Sequence, residues 1–200
     1  GCSVAYHLAK FGWKDVVLLE RKQLTSGTTW HAAGLIGQLR ATFNMTRLAI
    51  YSAGLYDGLE AETGISTGFK RNGSLSLAIT EERLEELSRG ASMARNFGVE
   101  AHVVTTEEIK SYYPLLNVSG SVGGVFIPSD GQADPTNITL ALAKGARKNG
   151  VQIFENVRVT AVNQLNGRVT GVDTCEGKID ADYVVNCAGM WGREVGLMAN

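Results

Sequence analysis

One stretch of the chain concentrates small and hydroxylated residues around an aromatic pair: Leu24-Thr25-Ser26-Gly27-Thr28-Thr29-Trp30-His31-Ala32-Ala33-Gly34-Leu35. Such a run leaves backbone N–H groups uncovered and adds short hydroxyl donors, a combination suited to a pyrophosphate and a flat ring system. Two earlier residues bear on it. Gly1 opens a helical segment, and Glu20 closes the apolar run Asp15-Val16-Val17-Leu18-Leu19-Glu20. In a dinucleotide fold the third fingerprint glycine permits close helix–strand packing, and an acid about 20 residues further on takes the ribose hydroxyls. Gly1 and Glu20 have that spacing. A helix opened by glycine and a strand ended by glutamate also occur in many other α/β proteins, so these two residues alone leave the ligand open.

The elements that must position these residues follow from periodicity and punctuation. Val4, Leu8 and Phe11 make one apolar stripe of a first helix, ended by Gly12, and residues 15–20 make a buried strand. This is the second half of a βαβ unit whose first strand would precede Gly1. The chain is therefore expected to be a piece of a longer protein, and alone it would expose unpaired strand edges and fold poorly. A helix over about 43–63 carries Leu48, Tyr51, Leu55 and Leu59 on one face, and residues 74–79 alternate as a strand. Thr80 is an N-cap, with Glu81 and Glu82 in the first turn and Leu84, Leu87, Ala91, Ala94 and Phe97 along the apolar side. Residues 105–113 form a short helix stopped by Pro114. Asp134-Pro135 starts another, with Ile138, Ala141, Leu142 and Ala146 as its core face and Asn149-Gly150 as its end. Strands are expected at 151–154, 157–165 and 169–173, the last two joined by the hairpin signal Asn166-Gly167. Glu176-Gly177 makes a turn, and Tyr183-Val184-Val185 a further buried strand leading into a helix near Trp191.

Composition narrows the classes. In 200 residues, 19 Lys+Arg against 20 Asp+Glu leave a net charge of −1, which provides no footprint for nucleic acid. No apolar run approaches the ~18 residues of a membrane span. Cys2, Cys175 and Cys187 form no CxxC pair, which speaks against a structural zinc and for a reducing compartment. The 24 glycines exceed the average share of about 7%, as expected where backbone must approach a cofactor closely.

Taken with Gly1 and Glu20, the 24–35 stretch resembles the FAD-binding region of flavoproteins of the D-amino-acid-oxidase type. More narrowly, Thr28-Thr29-Trp30-His31-Ala32-Ala33-Gly34 is similar to the sarcosine dehydrogenase and dimethylglycine dehydrogenase family. The likeness continues through Leu59-Glu60-Ala61-Glu62-Thr63-Gly64, Tyr113-Pro114-Leu115-Leu116-Asn117-Val118, Asp130-Gly131-Gln132-Ala133-Asp134-Pro135 and Val185-Asn186-Cys187-Ala188-Gly189-Met190-Trp191, so it covers essentially the whole chain. Gly34-Leu35-Ile36-Gly37-Gln38-Leu39-Arg40 leans toward the sarcosine enzyme.

The resemblance implies an α/β fold: a Rossmann-like FAD-binding domain, present as a fragment, with an inserted α+β substrate domain. Residues 1–65 and 131–200 would belong to the former and 66–130 to the latter. It implies FAD bonded covalently through His31. Glu20 and Arg21 would lie on the adenosine side, Gly27, Thr28, Thr29, Trp30, Ala32, Ala33, Gly34 and Leu35 along the flavin, Val159 at the adenine through its backbone, and Ala188, Gly189 and Trp191 near the cofactor. The implied reaction is oxidative demethylation of a small N-methylated amino acid, sarcosine first and dimethylglycine next, by hydride transfer from the N-methyl carbon to flavin N5. An electron-transfer flavoprotein or similar acceptor would take the electrons. Tetrahydrofolate is an expectation for a longer protein with a folate-binding domain, not for these residues. The compartment would be the mitochondrial matrix in a eukaryote and the cytoplasm in a bacterium. Substrate-contacting residues are expected mostly beyond Asn200.

Two other readings use the same residues. The regulatory subunit of pyruvate dehydrogenase phosphatase resembles these flavoproteins without being an enzyme, and its flavin loop lacks the histidine, so Trp30-His31-Ala32-Ala33 favours the enzyme. The other is a non-covalent FAD amino-acid oxidase in which His31 only packs near the ring system. On position alone His7 is a surface or boundary residue of the first helix, His102 is structural, and Cys187 is a packing residue. Arg40 is either a surface residue or a partner for a substrate carboxylate. No serine sits in a nucleophile elbow.

Overall fold

The computed structural model describes residues 1–199. In chain order its elements are α1 (Cys2–Lys10), β1 (Val17–Glu20), β2 (Leu35–Ile36), α2 (Phe43–Thr63), β3 (Ser74–Ala78), α3 (Glu81–Asn96), β4 (His102–Val104), α4 (Thr106–Tyr112), β5 (Gly123–Ile127), β6 (Gly131–Gln132), α5 (Pro135–Lys148), β7 (Gln152–Glu155), β8 (Val159–Leu165), β9 (Arg168–Thr174), β10 (Gly177–Asp180) and α6 (Gly192–Leu197). Single-turn 3-10 helices occupy Thr29–His31 and Gly189–Trp191. The class is mixed α/β, as the sequence implies. The chain divides into two compact units, one of Gly1–His31, Glu62–Ile65 and the chain from Thr139 onward, the other of Ala32–Ala61 and Ser66–Ile138.

In the first unit β1 and β7 pair in parallel, with Val17 opposite Gln152 and Glu20 opposite Glu155. The buried stripe of α1 is Cys2, Ala5, Tyr6 and Ala9, rather than the expected Val4, Leu8 and Phe11; Phe11 is 76% exposed. Small side chains let this helix approach α5 closely: a Cβ added at Gly145 would stand 2.7 Å from the Tyr6 ring. Tyr6 is fully buried, and its hydroxyl donates to Glu62 at 2.6 Å. Strands β8, β9 and β10 form an antiparallel sheet with β9 in the middle. The turn between β8 and β9 has Asn166 and Gly167 at φ 51° and 75°, the geometry behind the Asn-Gly signal. Strand β10 was not foreseen. It passes so close to Gly171 that a Cβ there would lie 2.2 Å from the Ile179 carbonyl oxygen. Residues 183–185 are not a strand: none pairs with another strand among the described residues, and Tyr183 and Val185 are exposed. An apolar triplet becomes a strand only where a neighbour takes its backbone bonds.

In the second unit β5 lies between β3 and β4, antiparallel to both. Helix α3 covers this sheet through Ala91 and Ala94, which cluster with Val99, Val125 and Ile127. Thr80 caps α3 by accepting from the Arg83 N–H. A capping box closes α4, with Thr105 and Glu108 each accepting from the other's backbone. Strand β5 is absent from the sequence reading because it opens with Gly123-Gly124. A Cβ at Gly124 would lie 2.4 Å from the Ser76 carbonyl oxygen, so strand pairing itself demands glycine. The two-residue pair β2–β6 is too short for any periodicity. Helix α2 has the expected bounds but a different buried side: Thr46, Ala53, Leu59 and Thr63 are buried, while Leu48 and Tyr51 are exposed. Asp134 accepts from the Asn137 N–H at 3.0 Å, and Pro135 is the first residue of α5. Ile138, Ala141, Leu142 and Ala146 are buried on that helix as expected. No helix among the described residues is long and apolar enough to cross a membrane.

Candidate functional site

Ligands of parallel α/β sheets bind outside the carboxyl ends of the strands. In the first unit that end carries two acids in register, Glu20 on β1 and Glu155 on β7. Their roles differ. Glu155 accepts the Leu24 N–H at 2.6 Å and so folds the chain after β1 back over the strand end. Glu20 accepts the Lys22 N–H at 2.9 Å, and each acid uses one oxygen only. Backbone bonds from Val157 to the Glu20 carbonyl (3.0 Å) and from Asn156 to the Lys22 carbonyl (2.8 Å) tie the two strand ends together. Leu24 is buried beneath the loop, and Thr25 takes the left-handed conformation at φ 71° to turn it. The sequence reading missed Glu155, and the only signal for it is its place one residue past the expected strand end.

Beyond that turn the backbone of residues 26–31 coils tightly, with the Ser26 N–H on the Gln23 carbonyl and the His31 N–H on the Thr28 carbonyl, both 3.2 Å. The N–H groups of Gly27 and Thr28 meet no acceptor among the described residues. Trp30 and His31 lie on the 3-10 turn, both exposed, with ring centroids 3.8 Å apart at a 31° tilt. No described residue forms a hydrogen bond with the His31 imidazole, which leaves its nitrogens open to a ligand.

Three predicted residues from distant parts of the sequence meet in this unit. The Arg21 guanidinium lies 3.9 Å from the centre of the Trp191 ring, and the edge of that ring is 4.0 Å from where a Gly27 Cβ would stand. Trp191 is presented by a turn that Asn186 shapes: its side chain accepts the Ala188 N–H at 3.1 Å and donates to the Gly192 carbonyl at 2.7 Å. Gly189 within that turn has φ 58°. Gly1 sits against Leu18 and Cys187, where a Cβ would find ordinary contacts at 3.7 and 3.9 Å. Val159 opens β8 opposite Thr174, beside a bulge in the ladder.

The remaining candidates, Ala32, Ala33, Gly34 and Leu35, belong to the second unit. Ala32, Ala33 and Leu35 are exposed, and Gly34 is buried. A Cβ on Gly34 would lie 2.1 Å from the Ala133 carbonyl oxygen, and its φ is 75°. Its own carbonyl accepts the Ala133 N–H at 2.9 Å, and Leu35 pairs with Gln132. The loop that follows is anchored on buried Asp130, which accepts from the Gln38 N–H (2.8 Å) and the Ser74 hydroxyl (2.7 Å). Arg40 is exposed, and its backbone is held by buried Thr46.

These features fit a flavin dinucleotide. One glutamate oxygen is uncommitted at the strand end, uncovered N–H groups and an oriented cation follow it, and an exposed histidine comes next in the chain. Known proteins agree. The family described as FAD dependent oxidoreductase matches residues 1–200. Mouse (Mus musculus) mitochondrial pyruvate dehydrogenase phosphatase regulatory subunit is 44% identical over 98% of this chain, and human (Homo sapiens) mitochondrial sarcosine dehydrogenase 43% over all of it. The chain spans 22% of the length of each. The crystal structure of L-proline dehydrogenase from P. horikoshii superposes with a TM-score of 0.93 at 31% identity, covering 99% of this chain and 52% of that one. The chain belongs to the FAD-dependent oxidoreductase family.

Proposed function

We propose that this member of the family serves FAD-dependent oxidative demethylation of an N-methylated glycine, sarcosine first and dimethylglycine next. The observation that carries the reading is His31. It stands in Thr28-Thr29-Trp30-His31-Ala32-Ala33-Gly34, is exposed on a 3-10 turn beside the Trp30 ring, and has an imidazole that no described residue hydrogen-bonds. The identity to sarcosine dehydrogenase supports it. Bound FAD supplies the two-electron acceptor for a C–H bond next to an amine nitrogen. The chain's own residues do the holding. Glu20 receives the ribose hydroxyls, Arg21 lies beside it on the adenosine side, and the open N–H groups of Gly27 and Thr28 face the diphosphate. Thr29, Trp30, Ala32, Ala33 and Leu35 line the ring system, with Val159, Ala188 and Gly189 at the margins. Gly1 opens α1 beside Leu18 of β1, where a Cβ would meet ordinary contacts. His31 would tether the ring through a covalent bond and so prevent its loss. On this reading 1–65 and 131–200 form the FAD-binding domain and 66–130 part of the substrate domain. An electron-transfer flavoprotein is the proposed acceptor, and tetrahydrofolate would act elsewhere in a longer protein. The mitochondrial names of the relatives support the matrix for a eukaryotic source.

The identity to the phosphatase regulatory subunit supports a second reading, a flavoprotein-like regulator. Acid precipitation of the full-length protein separates them. Flavin retained in the pellet and mapped to the His31 peptide, with formaldehyde released from sarcosine, supports the enzyme. Flavin left in solution moves the assignment to a non-covalent oxidase. A protein that takes up no flavin is the regulator.

A further inference from the structure

Arg21 and Trp191 come from opposite ends of the chain, yet the guanidinium sits over the indole at 3.9 Å, and an edge of the indole lies 4.0 Å from where a Gly27 Cβ would stand. Arg21 has no carboxylate partner among the described ion pairs, which involve Arg71, Arg83, Arg89, His102 and Lys178. Its charge is therefore neither neutralised nor left to wander. An exposed arginine samples many rotamers, and ordering one costs side-chain entropy at the moment of binding. A guanidinium stacked on an aromatic face is already ordered and keeps its in-plane N–H donors free at the rim. The Trp191 ring that carries them borders the turn whose Gly27 and Thr28 N–H groups meet no acceptor among the described residues.

We propose that Trp191 is a positioning residue that presents Arg21 as a preset cation to the adenosine-side phosphate of FAD. The inference rests on the reading that residues 20–35 hold FAD, and it adds a defined role for the indole. The indole supports a cation. Trp191 itself rides on the Asn186 turn, so the segment 186–192 becomes part of the cofactor clamp through Arg21.

The test uses the full-length protein carrying His31→Ala, which keeps FAD exchangeable, stripped to apoprotein and titrated with FAD by flavin fluorescence at several salt concentrations. Arg21→Met is expected to raise the dissociation constant about tenfold and flatten its salt dependence. Trp191→Leu is expected to raise it about fivefold and flatten the salt dependence in the same way. The double variant should match Arg21→Met within about twofold, because the indole acts through the arginine. Trp191→Phe, which keeps an aromatic face, should bind as the parent does. Independent effects that multiply to about fiftyfold in the double variant overturn the proposal, as does a Trp191→Leu protein that keeps the parent's salt dependence. Thermal melting of each apoprotein checks folding, and a lowered transition in Trp191→Leu with Trp191→Phe also weak would assign the indole to packing instead. A parent that binds no FAD refutes the cofactor reading itself, whereas normal binding with additive variants refutes only the positioning role.

Discussion

Two glycines in the 24–35 motif invite the same substitution with opposite consequences, and the contrast tests how the loop is built. At Gly34 the backbone has φ 75°, and an added Cβ would lie 2.1 Å from the Ala133 carbonyl oxygen. Alanine in the left-handed region costs roughly 1–2 kcal/mol. Relief of the clash requires the chain at Ala133 to withdraw, which weakens the bond from the Ala133 N–H to the Gly34 carbonyl, worth about 0.5–1.5 kcal/mol. Gly34→Ala should therefore lower the local opening free energy by about 2–3 kcal/mol, which is about a 30- to 150-fold increase in amide exchange where reclosing is fast. Gly27 differs in both respects. Its φ lies outside the left-handed region, and the nearest atom to an added Cβ is the Trp191 ring edge at 4.0 Å. Gly27→Ala should leave that exchange rate within about twofold of wild type.

The assay is hydrogen–deuterium exchange by mass spectrometry on the full-length protein, followed on the peptide that contains Ala133. A Gly34→Ala protein whose Ala133 peptide exchanges within about threefold of wild type would refute the steric argument. So would a Gly27→Ala protein that loses protection there as strongly as the other. Either result would mean that glycine content in this motif reflects something other than backbone clearance.

Two further outcomes follow from groups away from the cofactor. Burial pushes the Cys2 thiol above its ordinary value, so its neutral form is favoured in the folded chain; the stabilisation this gives is complete below the unfolded thiol pKa and is lost as pH rises through the folded one. Under iodoacetamide at mildly alkaline pH, exposed Cys175 should be modified at least about tenfold faster than buried Cys2, read by peptide mapping, and equal rates would contradict the packing of α1. Thr105→Ala should cost about 1 kcal/mol of local stability in α4, seen as faster exchange over residues 105–112. Hydrogen bonds from its own backbone and from the Thr105 and Thr106 hydroxyls hold the Glu107 carboxyl below its usual range, a stabilisation present above the unfolded carboxylate pKa and lost as pH falls through the folded value. Removing the Thr105 hydroxyl should narrow that acid window.

Elements specified by local chemistry were legible in the sequence. The Thr80 cap, the Asp134-Pro135 start and the Asn166-Gly167 hairpin each depend on residues within one turn of one another, and all three stand as expected. Elements specified by neighbours were not. Gly123-Gly124 opens a central strand because two adjoining strands leave no room for side chains, a fact that no reading of glycine as a turn former could supply. Leu48 and Tyr51 share the helical spacing of Leu59 yet lie exposed, because spacing identifies a face and only packing decides whether the face is covered. The triplet at 183–185 failed for the same reason: hydrophobicity proposes a strand, but a hydrogen-bonding neighbour has to complete it.

The candidate site divides along the same line. Glu20 was legible because its distance from Gly1 is a property of the chain, and His31 because its motif is continuous. Glu155 was not, since it reaches Leu24 across 131 residues. Two carboxylates end adjacent parallel strands, and the spacing from Gly1 is what distinguishes them. In the structure Glu155 accepts the Leu24 N–H and holds the loop shut, Glu20 accepts the Lys22 N–H, and each carboxylate keeps its second oxygen uncommitted among the described residues. A ribose needs an acceptor that is fixed in place and still has a lone pair to give. Both acids meet these conditions, so the assignment of the ribose to Glu20 rests on its spacing from Gly1, while Glu155 fixes the loop that follows it.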